Sequence, residues 1–277
     1  MINRLLVIAG AGEYPRILIR GARAAGVGCV DVMAVKGSCE RATARLADQV
    51  FPFAAGESDK AVEWTARQGY DGAVLAGQVS PLSLFHGWFD ETVKGWLKAM
   101  PVKNAHTIFG KLVGEFEKAG VRMLPASSFM DEALPGVGCL TERDLTPDER
   151  DDVARGMQVA ADVGRHDVGQ TVLVKSGMVL AVEAFEGTNA AIRRAGRLGR
   201  GSVLCKAARE GHDWRFDIPV VGLKTIKMMK KAGVTALAFQ AGRQLLLGRE
   251  DVVRYANRCG MAVVGVDSSL PPAPVRP

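Results

Sequence analysis

Short apolar runs alternate with segments of helical periodicity through the first half of the chain. The pattern opens with an apolar run at Leu5–Ala9, a turn at Gly10–Gly12 and a helical stretch at Pro15–Ala25. Further strands are predicted at Cys29–Val35, Asp71–Ala76 and Val121–Pro125, and further helices at Asp59–Gln68 and Gly110–Ala119. Such alternation predicts a parallel sheet with right-handed crossovers, so the first half is expected to be an α/β domain.

The second half begins with a helix and a hairpin. Thr146 and Glu149 form a capping-box pattern around Pro147, which predicts a helix over residues 147–163. Two β-patterned runs, Val168–Val174 and Met178–Ala184, flank a glycine turn and predict the hairpin. The later predicted elements are strands at Val203–Ala207, Trp214–Ile218, Thr235–Phe239 and Ala262–Val266, and helices at Thr225–Ala232 and Glu250–Cys259. Turn signals between residues 134 and 146 predict domains at 1–134 and 147–270, before a loose proline-rich tail at 271–277.

Composition narrows the class of protein. Hydrophobic residues make up 48% and charged residues 24% of the 277 residues, which is ordinary for a folded globular protein. No apolar run has the length of a spanning helix or a signal-peptide core, and the five cysteines are scattered without a CxxC pair. A cytoplasmic protein without a disulfide framework is expected. The net charge of +6 weakly indicates an anionic partner, and the 6% aromatic content disfavours single-stranded nucleic acid.

Two glycine-containing turns follow predicted strands of the first half, at the carboxyl ends where ligands gather in open parallel sheets. They are Gly10-Ala11-Gly12 and Gly77-Gln78-Val79. Closely spaced glycines allow a phosphate to approach the backbone. Pro15 stands where a dinucleotide fingerprint has its third glycine, and no acidic residue ends the second strand. The turns are therefore structural or contact a nucleotide or sugar nucleotide, and a nicotinamide cofactor is disfavoured.

The densest polar cluster follows the second hairpin strand and comprises Glu183, Glu186, Thr188 and Asn189. Oxygen ligands of this kind suit a hard divalent cation and a phosphate. The alternative is a charged hairpin end that opens a helix capped by Thr188 or Asn189. Arg193 or Arg194 is placed to share the helical face of Asn189 and to reach the same anion.

A second polar cluster lies within the segment 206–217. Alternation along a strand would put Asp213, Arg215 and Asp217 on one face, either as the lining of a pyrophosphate site or as a solvated strand face. The four histidines lack metal-ligand spacing, and the chain has no GxSxG motif. No cysteine has flanking residues that mark it as a nucleophile, so covalent catalysis is disfavoured.

The ordered motifs of the second half resemble those of the family of UDP-2,3-diacylglucosamine pyrophosphatases. The matching segments are Asp167–Gln170, Gly177–Ala184, Glu186–Asn189, Ala191–Arg194, Lys206–Pro219 and Gly222–Ile226, and the first half adds Gly10–Gly12 and Ala76–Val79. The resemblance implies a Rossmann-like amino-terminal domain, a distinct carboxy-terminal α/β domain and a homodimer. It implies hydrolysis of UDP-2,3-diacylglucosamine to UMP and 2,3-diacylglucosamine 1-phosphate in lipid A synthesis, with Mg²⁺ or Mn²⁺ as cofactor. It also implies a transient contact with the inner-membrane surface and no nucleic-acid partner.

The resemblance also assigns roles to particular residues. Glu183, Glu186 and Asn189 are the predicted catalytic residues and metal ligands. The predicted substrate-binding residues are Gly10, Ala11, Gly12, Gly77, Gln78, Val79, Gln170, Thr188, Arg193, Lys206, Asp213, Arg215 and Asp217.

The chain departs from the family pattern at three places. Asn189 stands where the family has an aspartate, Phe109-Gly110-Lys111 stands where it tends to have Gly-Asp-Asp, and Glu210 stands where a proline is usual. Asparagine binds Mg²⁺ less well than aspartate and cannot take a proton from water. Asn189 is therefore either an engineered substitution that traps substrate or the mark of a natural member that binds without hydrolysing or has another activity. A non-hydrolysing sugar-nucleotide or lipid-binding homologue is accordingly the alternative to a hydrolase.

Overall fold

The computed structural model describes residues 2–54, 56–78, 91–100, 105–209 and 213–267. Val79, Glu210 and the tail at 271–277, about which the sequence makes predictions, lie outside these residues. The chain divides into two compact units, of which the first comprises Met1–Met130 and Asp213–Asp217. The second comprises Asp131–His212 and Ile218–Pro277.

The first unit contains a four-stranded parallel sheet in the order β3-β2-β1-β4. Its strands are β1 (Arg4–Ala9), β2 (Cys29–Val35), β3 (Val50–Phe53) and β4 (Gly72–Ala76). Its described helices are α1 (Tyr14–Ala24), α2 (Arg41–Ala44), α3 (Ser58–Gln68), α4 (Glu91–Ala99) and α5 (Ala105–Lys118). The strand predicted at Val121–Pro125 is limited to one parallel bridge between Met123 and Ala73. Buried side chains from β1, β4 and α5 form the core on one side of the sheet.

The second unit contains a six-stranded mixed sheet in the order β5-β12-β10-β8-β6-β7 and a separate pair, β11-β9. The strands are β5 (Gly138–Cys139), β6 (Thr171–Lys175), β7 (Met178–Val182), β8 (Val203–Lys206), β9 (Val220–Gly222), β10 (Ala236–Gln240), β11 (Leu245–Leu247) and β12 (Ala262–Val266). The described helices are α6 (Pro147–Arg165), α7 (Thr188–Leu198), α8 (Leu223–Ala232) and α9 (Arg249–Arg258).

Alternation along the strands of the second unit separates two apolar cores. Leu173 and Leu204 belong to the core that includes residues of α7, α8 and α9. Their neighbours Val172 and Val203 belong to the core that includes residues of α6. Because successive strand side chains point to opposite faces, α6 covers one face of the sheet and the other three helices cover the opposite face. The predicted fold class, a parallel α/β unit joined to a distinct α/β unit, is confirmed.

Two local predictions in the second unit are confirmed in atomic detail. The Thr146 hydroxyl accepts a hydrogen bond from the Glu149 amide at 3.2 Å, and the Glu149 carboxylate accepts one from the Thr146 amide at 2.9 Å. The hairpin turn has positive φ at Ser176 (49°) and Gly177 (75°), which matches the twist of the paired strands. The Asp152 carboxylate accepts hydrogen bonds from both turn amides, at 2.9 and 2.6 Å, and so ties the turn to α6.

The predicted strand at Trp214–Ile218 is wrong, because these residues form a turn. The carbonyl oxygen of Asp213 accepts hydrogen bonds from the amides of Phe216 and Asp217, at 3.2 and 2.9 Å. The Asp213 carboxylate also accepts one from the Arg215 amide at 3.1 Å. An aspartate that bonds its own downstream backbone favours a turn over a strand, so the expected alternation of side chains does not occur.

Among the described residues, no helix combines the length and the apolar character needed to cross a membrane.

Candidate functional site

The polar cluster of the second unit lies at one edge of its main sheet. Thr171, the first residue of β6, is paired with Lys206, the last residue of β8. Glu183 follows β7, and its amide donates to the Thr171 carbonyl at 2.8 Å. β8 is parallel to β10 and β12, so this edge is the carboxyl end of the parallel strands, where ligands bind in open sheets.

Lys206 is the centre of the cluster. Its side chain is 6% exposed, and its Nζ donates to the hydroxyls of Thr171 (3.1 Å) and Thr188 (3.2 Å). The same Nζ lies 3.7 Å from Glu183 Oε2. The Thr188 hydroxyl in turn donates to Glu183 Oε1 at 2.8 Å. A buried ammonium is therefore held beside a carboxylate by two hydroxyl groups, the arrangement that a buried charge requires.

Two oxygen atoms of this cluster have no hydrogen-bond donor. Glu183 Oε2 and Asn189 Oδ1 are both buried, and neither accepts a hydrogen bond from the part of the chain that the structure describes. Leaving a buried acceptor unsatisfied typically costs about 1–3 kcal/mol. Unsatisfied groups therefore call for an explanation, and a bound cation or ligand donor is the one that fits a site at the strand ends.

Two glycines shape the backbone around the cluster. A Cβ on Gly169 would overlap the carbonyl oxygen of Glu183, so only glycine allows the segment before β6 to pass the end of β7. Gly187 has φ 81° and is the N-cap residue of α7. With no side-chain cap on this helix, the amides of Thr188 and Asn189 remain available to an anion, whereas the Ala190 amide donates to the Gly187 carbonyl at 3.1 Å.

Other residues predicted for this site lie around the cluster and outside its hydrogen-bond network. Glu186 is exposed, and its carboxylate pairs with Arg194 at 2.6 Å. Arg193 is exposed on α7. Gln170 contributes its backbone, because its carbonyl accepts the Ala207 amide at 3.0 Å. The structure thus brings together three of the predicted residues, Glu183, Thr188 and Lys206, and Asn189 follows Thr188 on α7.

Thr171 is the functional residue that the sequence analysis missed. It is fully buried and bonds Lys206, although 35 residues separate the two. A buried hydroxyl at the first position of an otherwise apolar strand was the available signal, but its partner became apparent only through the strand register.

The two glycine turns of the first unit pair with each other. The Ala11 amide donates to the Gln78 carbonyl at 2.7 Å, and the Gln78 amide donates to the Ala11 carbonyl at 2.9 Å. A Cβ on Gly10 would overlap the Gln78 carbonyl oxygen, which explains the glycine. The predicted residues Gly10–Gly12 and Gly77–Gln78 therefore meet at the carboxyl ends of β1 and β4.

Few backbone donors are left at these turns. The Gly10 amide bonds the Ala76 carbonyl at 2.8 Å, and the Gly12 amide donates to Glu40 Oε1 at 3.1 Å. Glu40 also pairs with Arg16 at 3.1 Å. Pro15 has no amide hydrogen. Direct binding of a phosphate to the Gly12 amide would thus require Glu40 to move away.

Asp213, Arg215 and Asp217 belong to the first unit and contact its α5. The Arg215 guanidinium donates to the Asp213 carboxylate at 2.8 and 2.6 Å and pairs with Glu117. Hydrogen bonds from Arg215 lower the pKa of Asp213, and the two carboxylates raise the pKa of Arg215. Asp217 lies 3.5 Å from Nδ1 of His106. Arg215 is therefore neutralised within its own unit, and this group packs a turn onto α5.

A second group of potential metal ligands occurs at the start of β2. One ligand atom from each of Cys29, Asp31 and Asp48 lies within 4.8 Å of the others. Asp31 already accepts the Tyr70 hydroxyl at 2.8 Å, and Asp48 accepts the Val30 amide at 2.7 Å. These acids are already used to hold the strand, so the group is structural.

Comparisons with known proteins cover both units. The family model described as LpxI N-terminal domain matches residues 4–133, and the one described as LpxI C-terminal domain matches residues 136–264. A relative from Caulobacter vibrioides, named UDP-2,3-diacylglucosamine pyrophosphatase LpxI, is 32% identical and the match covers 96% of this chain and 98% of the relative.

Two solved structures are distantly similar to parts of the chain. The biotin carboxylase subunit of pyruvate carboxylase is 16% identical with a TM-score of 0.28, and the match covers 74% of this chain and 38% of that chain. Glycinamide-RNase-transformylase T from Mycobacterium tuberculosis is 17% identical with a TM-score of 0.24, over 66% of this chain and 44% of that chain. The two family models and the Caulobacter relative match nearly the whole sequence. These matches show that the chain belongs to the LpxI family.

Proposed function

We propose that the protein hydrolyses the pyrophosphate bond of UDP-2,3-diacylglucosamine in lipid A synthesis. Water adds to one phosphorus, the bridging P–O bond breaks, and the products are UMP and 2,3-diacylglucosamine 1-phosphate. The named activity of the Caulobacter relative supports this proposal. In keeping with the family resemblance, we also propose that the protein acts as a cytoplasmic homodimer.

One observation carries the proposal: at the carboxyl end of the parallel strands, a buried, hydroxyl-bonded Lys206 lies 3.7 Å from Glu183 Oε2, a buried oxygen that accepts no hydrogen bond from the described residues. The ammonium supplies positive charge where a pyrophosphate would place its negative charge. In a water-excluded site such preorganised charge stabilises a transition state without any reorganisation. The amides of Thr188 and Asn189, at the start of α7, add donors for the same anion.

The residues present fit a divalent cation. Glu183 Oε2 and Asn189 Oδ1 are hard oxygen ligands that accept no hydrogen bond from the described residues, and one of them is anionic. These two residues would hold Mg²⁺ or Mn²⁺, which when bound would neutralise pyrophosphate charge and polarise a phosphoryl oxygen. Glu186, although predicted as a third ligand, is engaged by Arg194. Arg194 would have to release Glu186 before the latter joined the site.

The chain's own residues have separable roles. Lys206 binds the pyrophosphate, and Thr171 and Thr188 orient its ammonium. Glu183 is the carboxylate of this cluster, so it is the group that can accept a proton from water in the chain as it stands. Asn189 presents an oxygen to a cation and an amide to a phosphate, and it takes no proton.

Asn189 favours a second candidate function, a homologue that binds the sugar nucleotide and hydrolyses it slowly or not at all. A general base typically contributes 10²–10⁴-fold to the rate, and asparagine cannot supply this contribution. The remainder of the cluster is intact in the structure, with Lys206 bonded to the hydroxyls of Thr171 and Thr188. The difference between enzyme and binding protein therefore depends on one side chain.

The test is release of UMP from UDP-2,3-diacylglucosamine in detergent micelles, with and without Mg²⁺ or Mn²⁺. We expect slow metal-dependent release by the protein as given and an increase of about 10²-fold in Asn189→Asp. Asn189→Ala is the matched control, because it removes the amide oxygen without adding a carboxylate. UMP release by Asn189→Asp alone would favour the binding-protein function for the protein as given. If neither the protein as given nor any variant released UMP, the proposal that the protein is a hydrolase would be wrong.

Metal binding has a readout that does not depend on turnover. Titration with Mn²⁺, followed by the loss of its free-ion paramagnetic resonance signal, is expected to show one site. Asn189→Asp should tighten that site about tenfold and Glu183→Gln should weaken it by a similar factor, because the number of anionic ligands changes by one. Equal Mn²⁺ affinity in all three proteins would show that the cation does not bind at this cluster.

A further inference from the structure

Two neighbouring helices of the second unit carry an entirely basic surface. α7 and α8, together with the residues just after α7, contain no acidic residue. Their basic side chains are all exposed, and they are Arg193, Arg194, Arg197, Arg200, Lys224, Lys227, Lys230 and Lys231. We refer to these eight side chains as the basic face.

The two helices pack closely enough to make this one surface. A Cβ on Gly196 would lie 2.8 Å from the Cβ of Ala232, so the small residues let the two backbones approach. Just beyond the helix ends, the Gly201 amide donates to the Gly233 carbonyl at 2.7 Å. Arg200 reaches across to the Lys231 carbonyl at 3.5 Å. The arginines of α7 and the lysines of α8 therefore form adjacent rows.

The basic face accounts for the whole excess of positive charge. The chain has 36 basic and 30 acidic residues, so removing these eight leaves 28 basic against 30 acidic. Among the described residues, Arg194 alone of the eight has an acidic partner, Glu186. By contrast α9, the next helix on the same side of the sheet, includes Glu250 and Asp251 beside its arginines. A concentration of unpaired charge of this kind attracts an anionic surface.

Apolar side chains border the basic face. Phe185, just before α7, is 91% exposed, and Leu198, the last residue of α7, is 65% exposed. A soluble polyanion such as heparin or duplex nucleic acid would engage the cations but would not bury a phenyl ring and a leucine beside them. Basic residues combined with exposed phenylalanine and leucine are the composition of surfaces that lie in the headgroup region of a bilayer.

We propose that the basic face docks on an anionic bilayer surface, with its arginines and lysines against lipid phosphates and with Phe185 and Leu198 in the interface. The proposal extends the proposed function, since the substrate named there is a membrane lipid. Its test is independent of hydrolysis, because docking is measured without substrate and hydrolysis is measured in micelles.

The experiment is co-sedimentation of the full chain with sucrose-loaded vesicles. One set is pure phosphatidylcholine and the other contains about 30% phosphatidylglycerol. We expect binding to the anionic vesicles, little binding to the neutral ones, and loss of binding at about 0.5 M salt, where charges are screened within a few ångströms. Equal binding to both kinds of vesicle would overturn the proposal.

A matched pair of variants locates the surface. Arg197→Gln/Lys231→Gln should lower the partition coefficient about 30-fold, which corresponds to about 1 kcal/mol for each removed charge. Arg155→Gln/Arg165→Gln removes the same charge from α6, on the opposite face of the sheet, and should change it by less than about threefold. Equal losses in the two variants would show a response to net charge alone and would refute the basic face as the docking surface.

A third variant separates a bilayer from other partners. Phe185→Ser should weaken vesicle binding by on the order of tenfold and leave retention on heparin unchanged, because only a bilayer buries the ring. No effect on vesicles would mean that the face binds polyanions in general, which contradicts docking through the interface. If Arg197→Gln/Lys231→Gln instead shifted the sedimentation coefficient in the absence of lipid, the face would contact a second copy, and the proposal would be wrong.

Discussion

Each unit ends its parallel strands in a polar region shaped by glycine, and the two regions use their polar groups in opposite ways. In the first unit, the amides of Gly10, Ala11 and Gly12 all have protein partners, including the Glu40 carboxylate. In the second unit, Glu183 Oε2 and Asn189 Oδ1 are buried without donors among the described residues. A glycine turn after a strand is therefore poor evidence for a ligand until its hydrogen bonds are counted.

The same comparison distinguishes two kinds of buried carboxylate. Glu149 accepts hydrogen bonds from Arg143, the Thr146 amide and the Thr235 hydroxyl, at 2.7–2.9 Å. Glu183 accepts one hydrogen bond from a hydroxyl and faces an ammonium at 3.7 Å. The first carboxylate is saturated and holds the helix start, whereas the second retains an oxygen for a ligand. Stability and ligand binding should therefore respond to different substitutions.

The largest combined effect on stability and activity is expected for Gly169→Ala. The added Cβ would overlap the Glu183 carbonyl oxygen, so the segment before β6 must move. We expect a loss of on the order of 3 kcal/mol in the free energy of unfolding by urea, together with loss of UMP release. Gly164→Ala is the control, since its nearest neighbour would be at 3.7 Å. Equal stability of both variants would show that the site is not built on this close approach.

Substitution of Lys206 should act mainly on activity. We expect Lys206→Met to lower kcat for UMP release by about 10²–10³-fold, the usual cost of removing one preorganised electrostatic group. Lys175→Met, at the other end of β6, is the matched control and should retain near-native activity. A decrease in kcat of less than about threefold in Lys206→Met would show that the Lys206 ammonium does not contribute to the proposed hydrolysis.

Glu149 should govern stability in acid. Burial by itself would raise its pKa, but hydrogen bonds from Arg143, Thr146 and Thr235 outweigh burial and lower the pKa to about 2. Because the folded-state pKa is depressed, this contribution is present above pH 4.5 and is lost as pH falls towards 2. We expect Glu149→Gln to reduce the free energy of unfolding at pH 7 by about 3 kcal/mol.

The pH profile provides the check on this prediction. Urea melts at a series of pH values should show a smaller loss of stability between pH 4.5 and 2 in Glu149→Gln than in the native protein. Asp148→Asn, in the same first turn, is the control and should keep the native profile. Identical profiles for Glu149→Gln and the native protein would contradict a saturated carboxylate at this position.

The smallest expected effect is that of Glu40→Gln. Glu40 bonds the Gly12 amide and Arg16 near the protein surface, so its substitution should cost under about 1 kcal/mol of stability. It should also change KM for the lipid substrate by less than about twofold. A marked fall in KM would mean that Glu40 competes with a phosphate for the Gly12 amide, and the two strand ends would then be more alike than the structure indicates.

Much of the fold was predictable because its signals are local. The capping box at Thr146 and Glu149 and the Ser176–Gly177 turn each depend on residues within one turn of chain, and both occur as expected. The β12 strand, an apolar run of five residues, occurs with its predicted bounds. Local chemistry also explains why the strand predicted at Trp214–Ile218 does not form. Polar and apolar residues alternate there, but the Asp213 carboxylate accepts a hydrogen bond from the Arg215 amide and so favours a turn.

The site was less predictable because its contacts are remote in sequence. Glu183, Thr188 and Asn189 are neighbours in the chain and were found together, whereas Thr171 joins them only through its register with Lys206. Likewise, nothing within the segment 213–217 shows that Arg215 is engaged by Glu117 from a helix about a hundred residues earlier.

The segment 213–217 determines when the first unit can complete its folding during synthesis. Phe216 packs against the core of the first unit, and the Trp214 carbonyl accepts the Ala126 amide. The ribosome must therefore translate more than half of the second unit before it releases the last part of the first. Until then α5 lacks a neighbour for its side chains Phe109 and His106, which contact the Phe216 ring. A nascent chain halted near residue 140 would expose this gap, and a protease or chaperone would meet an unfinished unit.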